Sequence, residues 1–170
     1  MKIKINEICL YGMLGVILFA LKFAMSFLPN IEPVSLLLIV YTITFGVKAI
    51  YPMTIYILLE ILIYGFNLWS VAYLYIWLIL VIATLMVIKI TNKNMNPLIW
   101  ASVSGVFGLI FGAMYMPIYM ASGGFAFALT WWISGIPFDV IHCVANFILC
   151  ATLFKPITTA LLTLKQEAKL

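Results

Sequence analysis

Charged side chains are scarce in this chain, and their scarcity excludes most classes of soluble protein. Only 8% of the 170 residues are charged, 66% are hydrophobic, and the mean hydropathy is +1.23. In a soluble domain roughly a quarter of all residues are charged, and most of them lie on its surface. Arginine is absent, so the bidentate phosphate clamps that bind nucleic acids are excluded. A lipid bilayer is the environment that fits this composition.

Motifs for metal, nucleotide and covalent chemistry are also missing. Histidine occurs once, as His142, which excludes a His-rich metal site. The three cysteines, Cys9, Cys143 and Cys150, have no CxxC spacing and suggest free thiols. The chain has no P-loop, HExxH or GxSxG motif, and its acidic residues are scattered. We therefore expect a protein that is not an enzyme and that holds no metal and no cofactor.

The positive charges are all lysines, and their placement predicts a topology. Eight of the nine fall in four patches between apolar stretches: Lys2 and Lys4; Lys48; Lys89 and Lys93; Lys155, Lys165 and Lys169. If six helices cross a membrane, all four patches lie on one side, and positive patches mark the cytoplasmic side. The sequence therefore predicts a multi-pass membrane protein with both termini in the cytoplasm.

The apolar stretches predict six transmembrane helices in a single domain, residues 1–170, because one span needs about 20 apolar residues. The predicted helices are Ile8–Leu28, Val34–Val47, Pro52–Phe66, Val71–Ile90, Leu98–Tyr119 and Pro137–Phe154. Prolines, glycines and the hydrophilic segment Lys89–Pro97 mark their ends. The apolar stretch Phe125–Ile136, which ends at Pro137, is predicted as a short outer helix or a re-entrant segment, and part of the last helix is a further alternative.

Four ionisable residues fall inside the predicted spans, where each costs several kcal/mol unless it is paired or faces water. Lys22 and Glu60 have similar depths, so an ion pair is the favoured interpretation and ligand contact the alternative. Asp139 and His142 lie with Asn146 on one face of the last helix, at spacing i, i+3, i+7. Asp139 fits a first-turn structural role and a ligand contact equally well. For Asn146 a structural role between helices is favoured.

Aromatic residues gather near the predicted outer ends of the helices. Trp69, Tyr73 and Trp77 follow one another at spacing i, i+4, i+8 at the start of the fourth helix. An interfacial aromatic belt accounts for the first two. Trp77 lies deeper, where a stacking surface for a flat ligand is the alternative. The pair Trp131 and Trp132 raises the same two interpretations.

These residues resemble the S components of energy-coupling factor (ECF) transporters. Those are small six-helix membrane proteins that capture a vitamin or related micronutrient for an ABC-type importer. The chain is similar in size, in helix count, in its proline-containing outer loop Pro29–Pro33 and in the hydrophilic loop after the fourth helix. It is also similar in the stretch Gly135-Ile136-Pro137-Phe138-Asp139. The resemblance covers the whole chain.

The resemblance implies an all-α S-component bundle that binds substrate near its outer face. It implies a prokaryotic plasma membrane as the location, and it places substrate binding at Asn30, Glu32, Trp69, Tyr73, Trp77, Trp132 and Asp139. His142, on the same helix face as Asp139, is expected to bind substrate with them. The resemblance also implies docking on a membrane-embedded T component, which works with two cytoplasmic ATPase subunits. The docking stripe on the first helix is Gly12, Val16, Ala20 and Ala24. The last two match the Ala-x3-Ala pattern of the family.

A non-transport membrane scaffold of similar six-helix fold, such as the small rod-shape protein, is the alternative. A binder needs polar and aromatic groups that converge in its outer half, whereas a scaffold needs none. An intramembrane enzyme is a third class. Only Asp139 with His142 could supply catalytic groups, and no nucleophile accompanies them.

Overall fold

The computed structural model describes residues 5–167, and within them the secondary structure is helical without any β-strand. Its helices are α1 (Ile5–Ala24), α2 (Val34–Phe45), α3 (Ile50–Tyr64), α4 (Leu68–Ile90), α5 (Pro97–Leu109) and α6 (Met116–Glu167). Two 3-10 turns, Gly46–Ala49 and Ala113–Tyr115, connect α2 to α3 and α5 to α6. The predicted all-α class is confirmed for this part of the chain. Lys2, Lys4 and Lys169 lie outside the described residues.

The described helices have transmembrane character. Four helical stretches between residues 5 and 167 are long and apolar enough to cross a membrane: Ile5–Ala24, Val34–Tyr64, Leu68–Ile90 and Ala113–Glu167. Large apolar side chains point away from the bundle, such as Leu62, which is 76% exposed, and Ile90, which is 79% exposed. Extensive apolar surface of this kind is compatible with a membrane.

Helix α2 is the centre of the bundle, because all 12 of its residues are buried. Asn146 on α6 joins two neighbouring helices at this centre. Its amide nitrogen donates to the Ser35 hydroxyl of α2 at 3.1 Å and to the Ser104 carbonyl of α5 at 3.4 Å. The structural role favoured for Asn146 from the sequence is therefore confirmed.

Helices α1 and α3 run in the same direction. Near the start of α1, Glu7 pairs with Lys48, which precedes α3, and near its end Lys22 pairs with Glu60 of α3. Between these pairs, a Cβ added at Gly15 would lie 2.7 Å from Ile55 of α3. The backbones of the two helices therefore approach closely at this glycine, as small residues allow in membrane bundles.

Helix order and contacts place the described members of the four lysine patches toward one end of the bundle, here called the lysine end. They are Lys48, Lys89, Lys93, Lys155 and Lys165. Lys165 donates to the Thr44 carbonyl at the end of α2, at 2.6 Å. Trp100 joins the α4–α5 loop to α6, since it donates to the Asn94 carbonyl and stacks on Phe154. Lys22 lies toward the opposite end, here called the pocket end.

The predicted helix Leu98–Tyr119 is wrong in its length. Helix α5 ends at Leu109, and the backbone then changes to i→i+3 hydrogen bonds, such as Phe111 N–H to the Gly108 carbonyl at 3.3 Å. A 3-10 turn at Ala113–Tyr115 follows. This irregular backbone lies against α6 and the cavity described below, which is where membrane proteins tolerate it.

Helix α6 is interrupted once, at Gly124, where φ is 82° and ψ is 172°. The chain turns back there, because the Tyr119 ring before the break packs on the Trp131 ring after it, with centroids 4.2 Å apart. A positive φ of this size favours glycine, which has no Cβ to clash with the backbone. The break thus lies directly before the apolar stretch Phe125–Ile136.

The predicted boundary at Pro137 is wrong, because the helix continues through Pro137 and also through Pro156. Phe125–Ile136 is therefore neither re-entrant nor separate but the first part of the long helix. A proline removes one backbone donor, a loss that membrane helices tolerate through local adjustment. Asp139 consequently lies inside a helix, and the first-turn interpretation of its carboxylate no longer holds.

Candidate functional site

A cavity of about 400 Å³ lies at the pocket end of the bundle. Its walls come from the loop of residues 25–33, the start of α4, the connection between α5 and α6, and the middle of α6. Pockets that bind small molecules have volumes of roughly 300–1,000 Å³ and are mostly apolar with a few polar groups. The cavity has this size, and its polar groups are few.

The polar floor of the cavity is formed by Glu32, Asp139 and His142. One Asp139 oxygen, Oδ1, accepts a hydrogen bond from the Gly112 amide at 2.9 Å. The other Asp139 oxygen, Oδ2, has no hydrogen-bond partner among the described residues. The same is true of both ring nitrogens of His142 and of Oε1 of Glu32. His142 Nε2 lies 3.7 Å from that Glu32 oxygen, beyond hydrogen-bond length. A buried polar atom without a partner costs about 1–3 kcal/mol, so their convergence on a cavity is typical of a ligand site.

The Glu32 carboxyl lies on the loop before α2, and its environment changes its acidity. Burial raises the pKa of Glu32 from its ordinary value of 4.5 to about 7, although Lys22 lowers it and Glu60 raises it further. Burial dominates because it disfavours the charged form. Glu32 therefore changes its charge near neutral pH.

Aromatic rings form the wall above this floor. Tyr115 is at its centre, with ring centroids 5.5 Å from Trp131, 5.5 Å from Phe111 and 6.5 Å from Tyr73. Phe111 also meets the His142 ring edge-on at 4.7 Å. Rings at these distances and tilts stabilise one another. They therefore hold a rigid apolar surface beside the carboxyl groups.

Three glycines in and after α5 allow its backbone to approach α6 closely beside the cavity. A Cβ at Gly105 would lie 3.4 Å from the Cys143 carbonyl, and a Cβ at Gly108 would lie 2.8 Å from the His142 backbone. The two backbones thus touch, and Gly112 further along donates to Asp139. The spacing Gly105-x2-Gly108-x3-Gly112 is the sequence signal for this contact, which the sequence analysis missed.

The loop of residues 25–33 is fastened to α6. Asn30 has a φ of 56°, a left-handed conformation that asparagine adopts more readily than most residues. Its side chain donates to the Phe138 carbonyl at 3.1 Å. This bond joins the loop to α6 and so helps to place Glu32 beside Asp139 and His142 in the floor of the cavity.

The ion pair favoured from the sequence is confirmed, since Lys22 Nζ lies 3.0 Å from Glu60 Oε2. The ammonium group also lies 4.6 Å from the centroid of the Tyr64 ring. Lys22 reaches the wall of the cavity and that of a smaller adjoining cavity of about 170 Å³. Its charge is thus balanced by Glu60 at the edge of the site.

Six of the eight residues predicted to bind substrate line the cavity. They are Asn30, Glu32, Trp69, Tyr73, Asp139 and His142. The other two, Trp77 and Trp132, lie elsewhere. Trp77 is fully buried behind the wall, 5.5 Å from the Phe111 ring, so it supports the wall. Trp131 lines the cavity in place of Trp132, because one residue rotates a helical side chain by about 100°. Contact of the six with a substrate stays a prediction.

The predicted docking stripe lies away from the cavity. Val16, Ala20 and Ala24 are exposed on α1. Gly12 is half-buried, and a Cβ added there would meet no atom within 4 Å. The opposite face of α1, which includes Gly15, packs on α3. Docking through the stripe also stays a prediction.

Comparisons with protein-family models, with curated proteins and with solved structures gave no match to this chain. What the cavity can bind is therefore inferred from the residues that line it. Its carboxyl groups and imidazole can accept or donate hydrogen bonds, and its rings can stack on a flat molecule. The arrangement is suited to binding.

Proposed function

We propose that this protein is the substrate-binding S component of an ECF-type ABC importer for a vitamin or related micronutrient. The observation that carries the proposal is the cavity of about 400 Å³, in which Asp139 and His142 meet a wall of aromatic rings. Buried ionisable residues within apolar helices are costly and mark functional sites by default. In this proposal the protein binds and delivers its substrate, performs no catalysis and needs no cofactor.

The proposal includes six membrane spans with both termini in the cytoplasm of a prokaryotic cell. The position of five described lysines at one end of the bundle supports this orientation, because positive residues are retained in the cytoplasm. The cavity then opens toward the outside, where a nutrient arrives. The short helices α2 and α3 form two spans joined at Gly46, where φ is 63°.

Cysteine labelling tests this orientation. In a variant with Cys9, Cys143 and Cys150 replaced by alanine, we expect a cysteine at Ser122 to react with a membrane-impermeant maleimide added to intact cells. A cysteine at Met95, in the exposed α4–α5 loop, should react only after the cells are opened. Labelling of the Met95→Cys variant in intact cells would reverse the proposed orientation.

The proposed partners are a membrane-embedded T component and two ATPase subunits on the cytoplasmic side. The exposed small residues Ala20 and Ala24 on α1 support docking there, because small side chains let two membrane helices approach closely. The chain itself has no nucleotide-binding motif, so the energy for import has to come from the ATPase subunits.

A membrane scaffold remains the alternative function, and small-molecule binding distinguishes the two. A ligand at 100 times its Kd stabilises the folded state by about 2.7 kcal/mol. We expect the small-molecule fraction of rich growth medium to raise the Tm of the purified chain by about 5 °C or more. The same fraction should leave the Tm of an Asp139→Ala variant unchanged. A Tm of the wild-type chain that does not respond would favour the scaffold.

A further inference from the structure

We infer that the ligand of this cavity is a small, flat organic cation, whose positive charge lies between Glu32 and Asp139 while its ring stacks on the aromatic wall. The inference rests on the proposed function and specifies its substrate class. It follows from the charges, the unpartnered atoms and the rings that surround the cavity.

The cavity has an excess of carboxyl groups. Lys22 is the cation at its edge, and Glu60 already balances that charge at 3.0 Å. Glu32 and Asp139 then have no positive side chain of the described residues within ion-pair distance, apart from His142 beside Glu32. A buried carboxylate is stable only when it is paired or hydrogen-bonded. A ligand that brings a positive charge supplies the missing partner.

Asp139 lines the cavity and has one carboxylate oxygen available to a ligand. Asp139 is only 4% exposed, and the Gly112 amide holds its Oδ1 atom. Its Oδ2 atom has no partner in the described part of the chain, and the residue lines the cavity. His142 lies on the same face of α6, is 2% exposed, and also has unpartnered nitrogens. A ligand with N–H donors beside its charge satisfies the carboxylate, and a ring nitrogen or hydroxyl satisfies the imidazole.

The aromatic wall suits a cation and a flat shape together. The rings of Tyr73, Phe111, Tyr115 and Trp131 adjoin the carboxyl groups. The face of an aromatic ring attracts a cation, and more strongly where water is excluded. The same faces stack on a planar ring. A flat anionic ligand would also stack on these rings, but it would lack the cation–ring attraction and would be repelled by the carboxylates of Glu32 and Asp139.

A metal cation fits the site less well than an organic one. Glu32, Asp139 and His142 share the cavity, but among residues 5–167 no group of three His, Cys, Asp or Glu side chains is placed to hold one metal ion. A bound metal ion usually takes three or more protein ligands. The aromatic wall of Tyr73, Phe111, Tyr115 and Trp131 adds no carboxylate, amide or imidazole ligand for a divalent ion.

The charge of Glu32 makes binding of a cation depend on pH. The groups that face it are Lys22, Tyr56, Glu60, Tyr73, Tyr115, Asp139 and His142. Since the pKa of Glu32 is raised to about 7, its carboxyl is mostly neutral at pH 5.5 and mostly ionised at pH 8. A cation prefers the ionised form, so capture should strengthen by about tenfold over this range. A Glu32→Gln variant, which cannot ionise at this position, shows whether Glu32 carries this pH dependence.

The test is ligand capture by the full chain in lipid nanodiscs. The immobilised protein is equilibrated with the small-molecule fraction of rich growth medium, and bound molecules are released and identified by mass spectrometry. We expect an ultraviolet-absorbing molecule that is retained on a cation exchanger at pH 7. Glu32→Gln and Asp139→Asn should each reduce the captured amount at least tenfold, and Glu32→Gln should flatten its pH dependence. The matched control, Glu167→Gln at the lysine end, should capture as the wild type does.

The outcomes separate this inference from the proposed function. Capture of a neutral or anionic molecule by the wild-type chain would overturn the inference and leave the binding function intact. Capture of no molecule at all would overturn both. The charge of the molecule that the wild-type chain captures tests the inference even if a variant fails to fold.

Discussion

Replacing Gly112 with alanine should lower the affinity for the captured ligand about 30-fold, with the bundle still folded. A Cβ at Gly112 would lie 2.9 Å from Cγ of Asp139, so the carboxylate has to move. It then loses the hydrogen bond from the Gly112 amide. A hydrogen bond to a charged group contributes about 1.5–3 kcal/mol, and about 2 kcal/mol corresponds to a 30-fold change in Kd. Titration calorimetry with the captured ligand measures the change.

Two controls separate this effect from damage to the helix. Gly112 has a φ of −61°, which alanine adopts without strain, and the displaced group is the flexible end of a side chain. Gly12→Ala adds the same methyl group where no atom lies within 4 Å, and should leave the affinity unchanged. In an Asp139→Ala background, Gly112→Ala should have little further effect. Full additivity of the two substitutions would show that Gly112 does not act through Asp139.

The part of the polar floor that lies on α6 could be predicted from the sequence because it depends on helical periodicity. Asp139 and His142 are three residues apart on an apolar helix, which places them on one face whatever the helix contacts. The cost of burying charge likewise predicted the pair of Lys22 with Glu60. The lysine patches, by contrast, predict sidedness and say nothing of which residues touch.

The rest of the site depends on contacts between helices, which a single sequence does not determine. Proline usually ends a helix, yet the helix around Pro137 continues because neighbouring packing overrides the local preference. That continuation sets the rotation of the helix and selects Trp131 over Trp132 for the cavity wall. The rings of Phe111 and Tyr115 reach the cavity only because the chain leaves α5 at Leu109.

The second large effect concerns import. In proteoliposomes, the chain with its T component and ATPase subunits should accumulate the captured ligand when ATP is supplied. Ala20→Trp should abolish accumulation and leave the ligand affinity unchanged, because the bulky ring blocks close approach at the exposed face of α1, away from the cavity. Leu62→Trp, which adds bulk to an apolar, exposed position on α3, is the matched control and should import normally.

Accumulation of the radiolabelled ligand inside proteoliposomes, compared with and without the partner subunits, tests the central claim most directly. We predict that the chain alone binds the ligand without accumulating it, and that the complete complex accumulates it only with ATP. Accumulation against a gradient by the chain alone, or a complete complex that binds the ligand and never imports it, would contradict the account.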